Sequence, residues 1–340
     1  MKNILFPVCF LILIQFQTMA QDPQFSQFYA APLYHNPAFT GAAHKARLIA
    51  NFRNQWPARP GGFITTTFSG DNYYKNYNSG VGILAYRDQS GTGGLSTNAL
   101  SLHYAYEINF SSQWNGRGGL SLGYANRFVD FSKLTFRDQL NANFIPTPTS
   151  DPAQANLNRV QYFDISSGFL IYNKYIWIGG SALHMNQPNQ ALLGETSRLP
   201  MRMTMMAGAK IPLTKRRYGS DYGGNRFKEK SISPSVLYKR QGSFQQLDLG
   251  AYVTLSPIMA GIWYRGLPIA NFEKNIFNQD ALVWLLGFRH NNISIGYSYD
   301  LTISNLGAGT AGSHELSVSY EFDSPKKRKK RVSPIPCPKF

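Results

Sequence analysis

Cysteine is almost absent from this chain, which has two, Cys9 and Cys337. Cys9 falls inside an apolar leader expected to be removed, so a single thiol is left and neither an intrachain disulfide nor a cysteine metal site can form. Charge is sparse as well, at 15% of residues against about 25% in ordinary soluble domains. Beyond Ala20 no apolar run reaches the roughly 18 residues of a spanning helix, which leaves only strands to cross a bilayer. The six histidines, at 35, 44, 103, 184, 290 and 314, share no ligand spacing, so neither a metal nor a cofactor is expected. Gly91-Thr92-Gly93-Gly94 has no following Lys-Ser/Thr or helix and reads as a strand connection rather than a phosphate cradle.

The chain opens with an export signal. Lys2 supplies a basic start, Ile4 to Phe16 an apolar stretch, and Thr18-Met19-Ala20 a small-residue cleavage site, so residues 1–20 are expected to be a signal peptide. After it, apolar and polar residues alternate again and again. Leu316, Val318, Tyr320 and Phe322 alternate with Ser317, Ser319 and Glu321, and Ile293 to Ile303 repeats the pattern against Ser294, Gly296, Ser298, Asp300 and Thr302. Successive side chains of a strand point to opposite faces, so such alternation puts one face against oil and the other against a polar medium. About fourteen segments of this kind occur, each about nine to eleven residues long, as a tilted membrane strand requires. The polar face carries Gly, Ser, Thr and Asn with few charges, unlike the solvent face of a soluble sandwich. The 23 Phe and 20 Tyr suit the interfaces of a bilayer. The expected fold is therefore all-β: a transmembrane antiparallel β-barrel over residues 45–323, with an N-terminal periplasmic or plug-like segment (21–44) and a basic periplasmic tail (324–340).

Loop lengths test the orientation, because such barrels have short periplasmic turns and longer outer loops. Tight connections at Asn173-Lys174, Ser256-Pro257 and His290-Asn291-Asn292 follow even-numbered strands, whereas 128–160, 184–199, 266–280 and 304–313 follow odd-numbered ones and are expected to face outward. Asp71 to Asn78 and Lys215 to Lys230 are long for periplasmic turns. Fourteen strands enclose more space than wall side chains fill. Water, the segment Asp130 to Arg159 or the N-terminal segment Gln21 to Ala43 are the candidate occupants. That last segment is too rich in proline for a central strand and too aromatic for a linker, and is expected to pack at the periplasmic mouth.

The net charge of +16 is partly local, since Lys326, Lys327, Arg328, Lys329, Lys330 and Arg331 are consecutive. A block of like charge is ordinarily a solvated tail. In an exported chain it also suits anionic lipid headgroups, the cell wall or an acidic protein partner, rather than nucleic acid. Ser101, His103 and Glu107 share one strand face in an order reminiscent of a hydrolase, yet nothing flanks Ser101 to form an oxyanion site, and lumen lining is the simpler reading.

Gln24-Phe25-Ser26-Gln27-Phe28, Asn36-Pro37-Ala38-Phe39-Thr40-Gly41, Arg53-Asn54-Gln55-Trp56 and the closing Cys337-Pro338-Lys339-Phe340 resemble the PorP/SprF family of Bacteroidota outer-membrane proteins. The resemblance spans essentially the whole chain. It implies a non-enzymatic outer-membrane barrel of the type IX secretion and gliding machinery, which supports export of a large secreted protein and anchors it at the cell surface by a C-terminal domain. Periplasmic secretion or gliding components and outer-membrane lipid are the other implied partners. Asn36, Pro37, Arg53, Gln55, Trp56 and the six tail cations are the candidate partner-binding residues. A passive diffusion channel is the alternative that the polar inner face permits.

Overall fold

The computed structural model describes residues 22–92, 94–130, 159–192, 196–213, 229–273, 276–304, 307–322 and 335–336. Fourteen antiparallel strands form one closed sheet in which each pairs with its neighbours in sequence. They are β1 Arg47–Gln55, β2 Phe63–Tyr74, β3 Ser79–Ser90, β4 Leu95–Asn109 and β5 Asn115–Val129. Next come β6 Val160–Tyr172, β7 Ile176–Leu183, β8 Arg202–Ala209 resuming at Ile211–Pro212, and β9 Lys230–Gln241. The ring ends with β10 Phe244–Leu255, β11 Ile258–Glu273, β12 Ile276–His290, β13 Ile293–Thr302 and β14 Ser313–Glu321. β14 closes on β1 without a register shift, from Arg47 opposite Glu321 to Gln55 opposite Ser313. The ring has no free edge, so the strand backbone is hydrogen-bonded within the sheet, as hydrocarbon demands. The break in β8 has a local cause. Pro234 of β9, one step beyond the Ser235–Gly208 pair, has no N–H to give to the ladder.

The alternation in the sequence becomes two faces. Along β14, Leu316 (45% exposed), Val318 and Tyr320 point outward, while Glu315, Ser317 (2%) and Ser319 point in. β4 does the same, with Leu100, Leu102, Tyr104, Tyr106 and Ile108 outside and His103 and Glu107 inside.

Two expectations about the connections change. Residues 266–280 are not an outer loop, because β11 runs on to Glu273 and β12 begins at Ile276. Register shifts at Arg265/Gly266 and Leu267/Asn271 carry the pair through this stretch. The connection from Asp71 is shorter than it looked: β2 continues to Tyr74, and a 3-10 turn over Lys75–Tyr77 with Asn78 in the left-handed region reverses the chain. On the side of the longer connections, only Gly242 and Ser243 separate β9 from β10. One end of the barrel nevertheless carries short turns after β2, β4, β6, β10 and β12, and the other carries the longer connections after β1, β5, β7 and β13. Most of 215–230 lies outside the described residues, as do the leader and the cationic run of the tail.

Candidate functional site

The lumen is not open space, because the N-terminal segment runs through it. Asp22 meets His184, Arg202 and Gln241 at the end with the longer connections. Gly41 meets Asp71, near the end where β1 begins. Of the two places expected for this segment, the periplasmic mouth and the lumen, its contacts run along the lumen. They also place Asp22 and the end of β14 toward opposite ends of the barrel, where a shared periplasmic side was expected for both termini. The reason lies in the wall, whose inward charges offer partners along the full length of the segment.

Ser26 and Gln27 make the densest contact. Glu315 accepts the backbone N–H of Ser26 at 2.7 Å and of Gln27 at 3.1 Å. Ser26 Oγ donates to Asp300 at 2.7 Å and accepts from Arg53 and Arg265, each at 2.8 Å. Arg53 also pairs with Asp300 at 2.7 Å and Glu315 at 3.2 Å, and Arg265 pairs with Asp300 at 3.0 Å. Gln27 uses its amide in both senses, donating to Ser298 Oγ and the Glu315 carbonyl and accepting from Ser317 Oγ at 2.6 Å. Two cations and two carboxylates thus surround one serine in a buried site, where unpaired charge would be costly.

Further along, Pro32–His35 forms a single helical turn (α1) opened by proline, and Pro37–Phe39 a 3-10 turn. Asn36 stands between them and satisfies its whole amide. Its Oδ1 caps the turn by accepting from Ala38 N at 2.8 Å, and its Nδ2 donates to the carbonyls of Phe169 and Gly180 at 3.1 and 3.0 Å. Such close approach requires a wall without side chains, and a Cβ at Gly168 would lie 2.1 Å from Asn36 Oδ1. Arg117 then binds the carbonyls of Ala38 and Thr40 while pairing with Glu107. Asp71, gripped by Arg47 at 3.0 Å, accepts the Gly41 N–H at 2.7 Å. Apolar packing completes the fit: Phe28 meets Trp263 edge-on at 5.1 Å between ring centroids, Tyr29 meets Tyr252 at 4.9 Å, and Phe39 lies 6.2 Å from Trp177.

Burial and then the cations of Arg202, Lys239 and Arg265 keep His35 neutral, with its pKa well below the ordinary value. His184 behaves oppositely. Burial disfavours its charge, but Asp22 and Asp164 at 2.7 and 2.8 Å from its two ring nitrogens raise its pKa to about 9. Among the described residues no group of His, Cys, Asp or Glu is placed to hold a metal ion. Ser101 Oγ lies 2.8 Å from His103 Nε2, but His103 Nδ1 has no partner among the described residues, and Glu107 is turned to Arg117. No carboxylate therefore orients this pair.

A model of the family described as "Type IX secretion system membrane protein PorP/SprF" matches residues 17–320. The chain belongs to the PorP/SprF family. Solved structures similar to this PorP/SprF protein are outer-membrane proteins of low sequence identity. The Ralstonia pickettii toluene transporter TbuX is 10% identical, over 86% of this chain and 94% of that one, with a TM-score of 0.47. A Pseudomonas aeruginosa FadL homologue is 11% identical, over 85% and 93%, with a TM-score of 0.43. Acinetobacter baumannii Omp33 is 6% identical, over 83% and 100%, with a TM-score of 0.41. The search of curated proteins gives no match.

The motif residues of this PorP/SprF protein do not gather into one surface. Asn36, Pro37 and Arg53 are buried in the lumen. Gln55 ends β1, and Trp56 packs against Phe63 at the end with the longer connections, 5.6 Å between centroids. Lys326 to Arg331 lie outside the described residues. Arg117, Arg265, Asp300 and Glu315, which hold the segment, were not among the sequence candidates. Their signal was present: each is a charge on the inward side of an otherwise uncharged stretch.

Proposed function

We infer that this protein is a non-enzymatic outer-membrane barrel of type IX secretion that supports export of a secreted protein and holds it at the cell surface through that protein's C-terminal domain. The observation that carries the reading is the occupied lumen. Residues 22–41 are bound to the wall by two clusters of buried ion pairs, around Ser26 and around Arg117. A fixed plug suits a scaffold that binds a partner on its loops better than a channel for free diffusion. In this reading the short-turn end faces the periplasm, residues 1–20 are removed on export, and the connections after β1, β5, β7 and β13 receive the cargo domain. Trp56 and Gln55 stand at that rim. The cations Lys326 to Arg331 meet acidic periplasmic components of the secretion or gliding machinery.

Reconstitution in planar bilayers, together with affinity purification from native membranes, tests this. Electrical silence with a co-purifying large surface protein is the expected result. Steady open conductance without such a partner would favour the diffusion channel instead. Deleting Lys326 to Phe340 is expected to remove periplasmic partners while the barrel stays in the membrane.

A further inference from the structure

The chain meets the barrel again beyond β14. Fourteen residues after Glu321, the last residue of β14, Ile335 is buried again at 6% exposure, as is Pro336 beside it. Ile335 belongs to the same apolar cluster as Phe39 and Ala42 of the N-terminal segment and Trp177, Met259 and Leu285 of the wall. Met259 is the second residue of β11, and Trp177 the second of β7, so this part of the cluster lies toward the short-turn end of the lumen. The thirteen-residue span from Phe322, which donates its N–H to the Ala46 carbonyl, has a reach of ~40 Å, ample for the chain to turn back into the mouth.

We propose that the lumen mouth at the short-turn end is a docking site for a proline-alternating peptide, and that its occupant is this chain's own C-terminal segment around Ile335-Pro336. The sequence there is Pro334-Ile335-Pro336-Cys337-Pro338, with proline at every second position. Such a segment is already extended in the polyproline manner and loses little freedom on binding, and it brings few N–H groups into an apolar site. Aromatic-lined grooves are the usual receptors for peptides of this kind. Toward the short-turn end the cluster that takes in Ile335 also holds Trp177 and Phe39, whose rings lie 6.2 Å apart.

The test uses the full-length barrel in detergent, with Cys337→Ser so that Ile335→Cys is the labelled thiol after signal removal. Maleimide labelling of the thiol at position 335 is expected to be at least about ten-fold slower than in the urea-unfolded chain, as for a segment that must open before it reacts. Adding excess synthetic peptide of residues 333–340 is expected to speed labelling, and the same peptide with its prolines changed to alanine is expected to be inert. Labelling as fast as in the unfolded chain, with the barrel still migrating as a folded species, would overturn the proposal. So would protection that excess native-sequence peptide does not relieve. No secretion partner is needed, so the outcome is independent of the functional reading above.

Discussion

Arg53→Met is the substitution that best probes whether the N-terminal segment is held by charge. The guanidinium pairs with Asp300 at 2.7 Å and Glu315 at 3.2 Å and donates to Ser26 Oγ at 2.8 Å, with all three side chains buried. Removing one partner of a buried ion pair costs about 3–5 kcal/mol, because the other charge is left uncompensated. Two features draw the value here toward the lower end. Arg265 stays on Asp300 at 3.0 Å, and Glu315 keeps the backbone N–H groups of Ser26 and Gln27. The strand ladder of β1 is untouched, so the loss of about 3 kcal/mol falls on the docking of the segment and changes its docked-to-undocked ratio roughly a hundred-fold. Hydrogen exchange read by mass spectrometry over residues 25–28 measures that ratio directly, with heat-modifiable gel mobility as the control for barrel integrity. Arg53→Lys is expected to fall between the two, because an ammonium cannot spread over three acceptors as a guanidinium fork does. If Arg53→Met exchanged no faster than the native protein over those residues while the barrel remained folded, the ion-pair account of the plug would be wrong.

Other outcomes follow from the same contacts. The His184 pKa is raised from 6.5 to about 9, so its contribution to anchoring Asp22 is complete below about pH 6.5 and fades as pH rises through about 9. Asp22 is lowered from 3.8, so its own contribution is lost only in acid. Protection of residues 22–25, corrected for the intrinsic rate, should decline from pH 6.5 to 9, and a flat profile would contradict the pairing. Gly119→Ala should displace the 36–39 turn, since its Cβ would lie 2.3 Å from Ala38 N. Overpacking of this kind costs about 1–3 kcal/mol, and exchange should rise at 36–41 while residues 25–28 stay protected. Val318→Arg, on the outward face opposite Ala50 and Ile295, should lower barrel stability in bilayers by about 2–4 kcal/mol if that residue lies near the midplane. Equal urea midpoints for the variant and native barrels would mean the face is not in lipid.

The strands were legible because alternation is a local property: every candidate segment, from 46–54 to 316–322, is a strand in the barrel. Their ends were less so. Residues 266–280 read as an outer loop, although β11 and β12 continue into them by shifting register, which no single strand reveals. Within the lumen the sequence showed that Gln24 to Gly41 was unusual but not what it touches. Ser26 meets Glu315 and Asp300 across separations of 289 and 274 residues, and nothing local announces such partners. Arg53 was singled out for its motif, and its role became visible only once β1, β13 and β14 were seen to converge on one serine.

That convergence bears on how the barrel is made. Ser26 and Gln27 are bonded to β1 through Arg53, to β13 through Asp300 and Ser298, and to β14 through Glu315 and Ser317, so the segment bridges the seam where the first strand meets the last. These residues come early in the chain, yet their seat does not exist until the final hairpin is in place. The segment is therefore a gauge of completion. An unfinished barrel, or one closed out of register by a residue, would turn Glu315 and Ser317 outward and leave Ser26 and Gln27 nothing to bind, so the interior reads whether the wall has been assembled correctly.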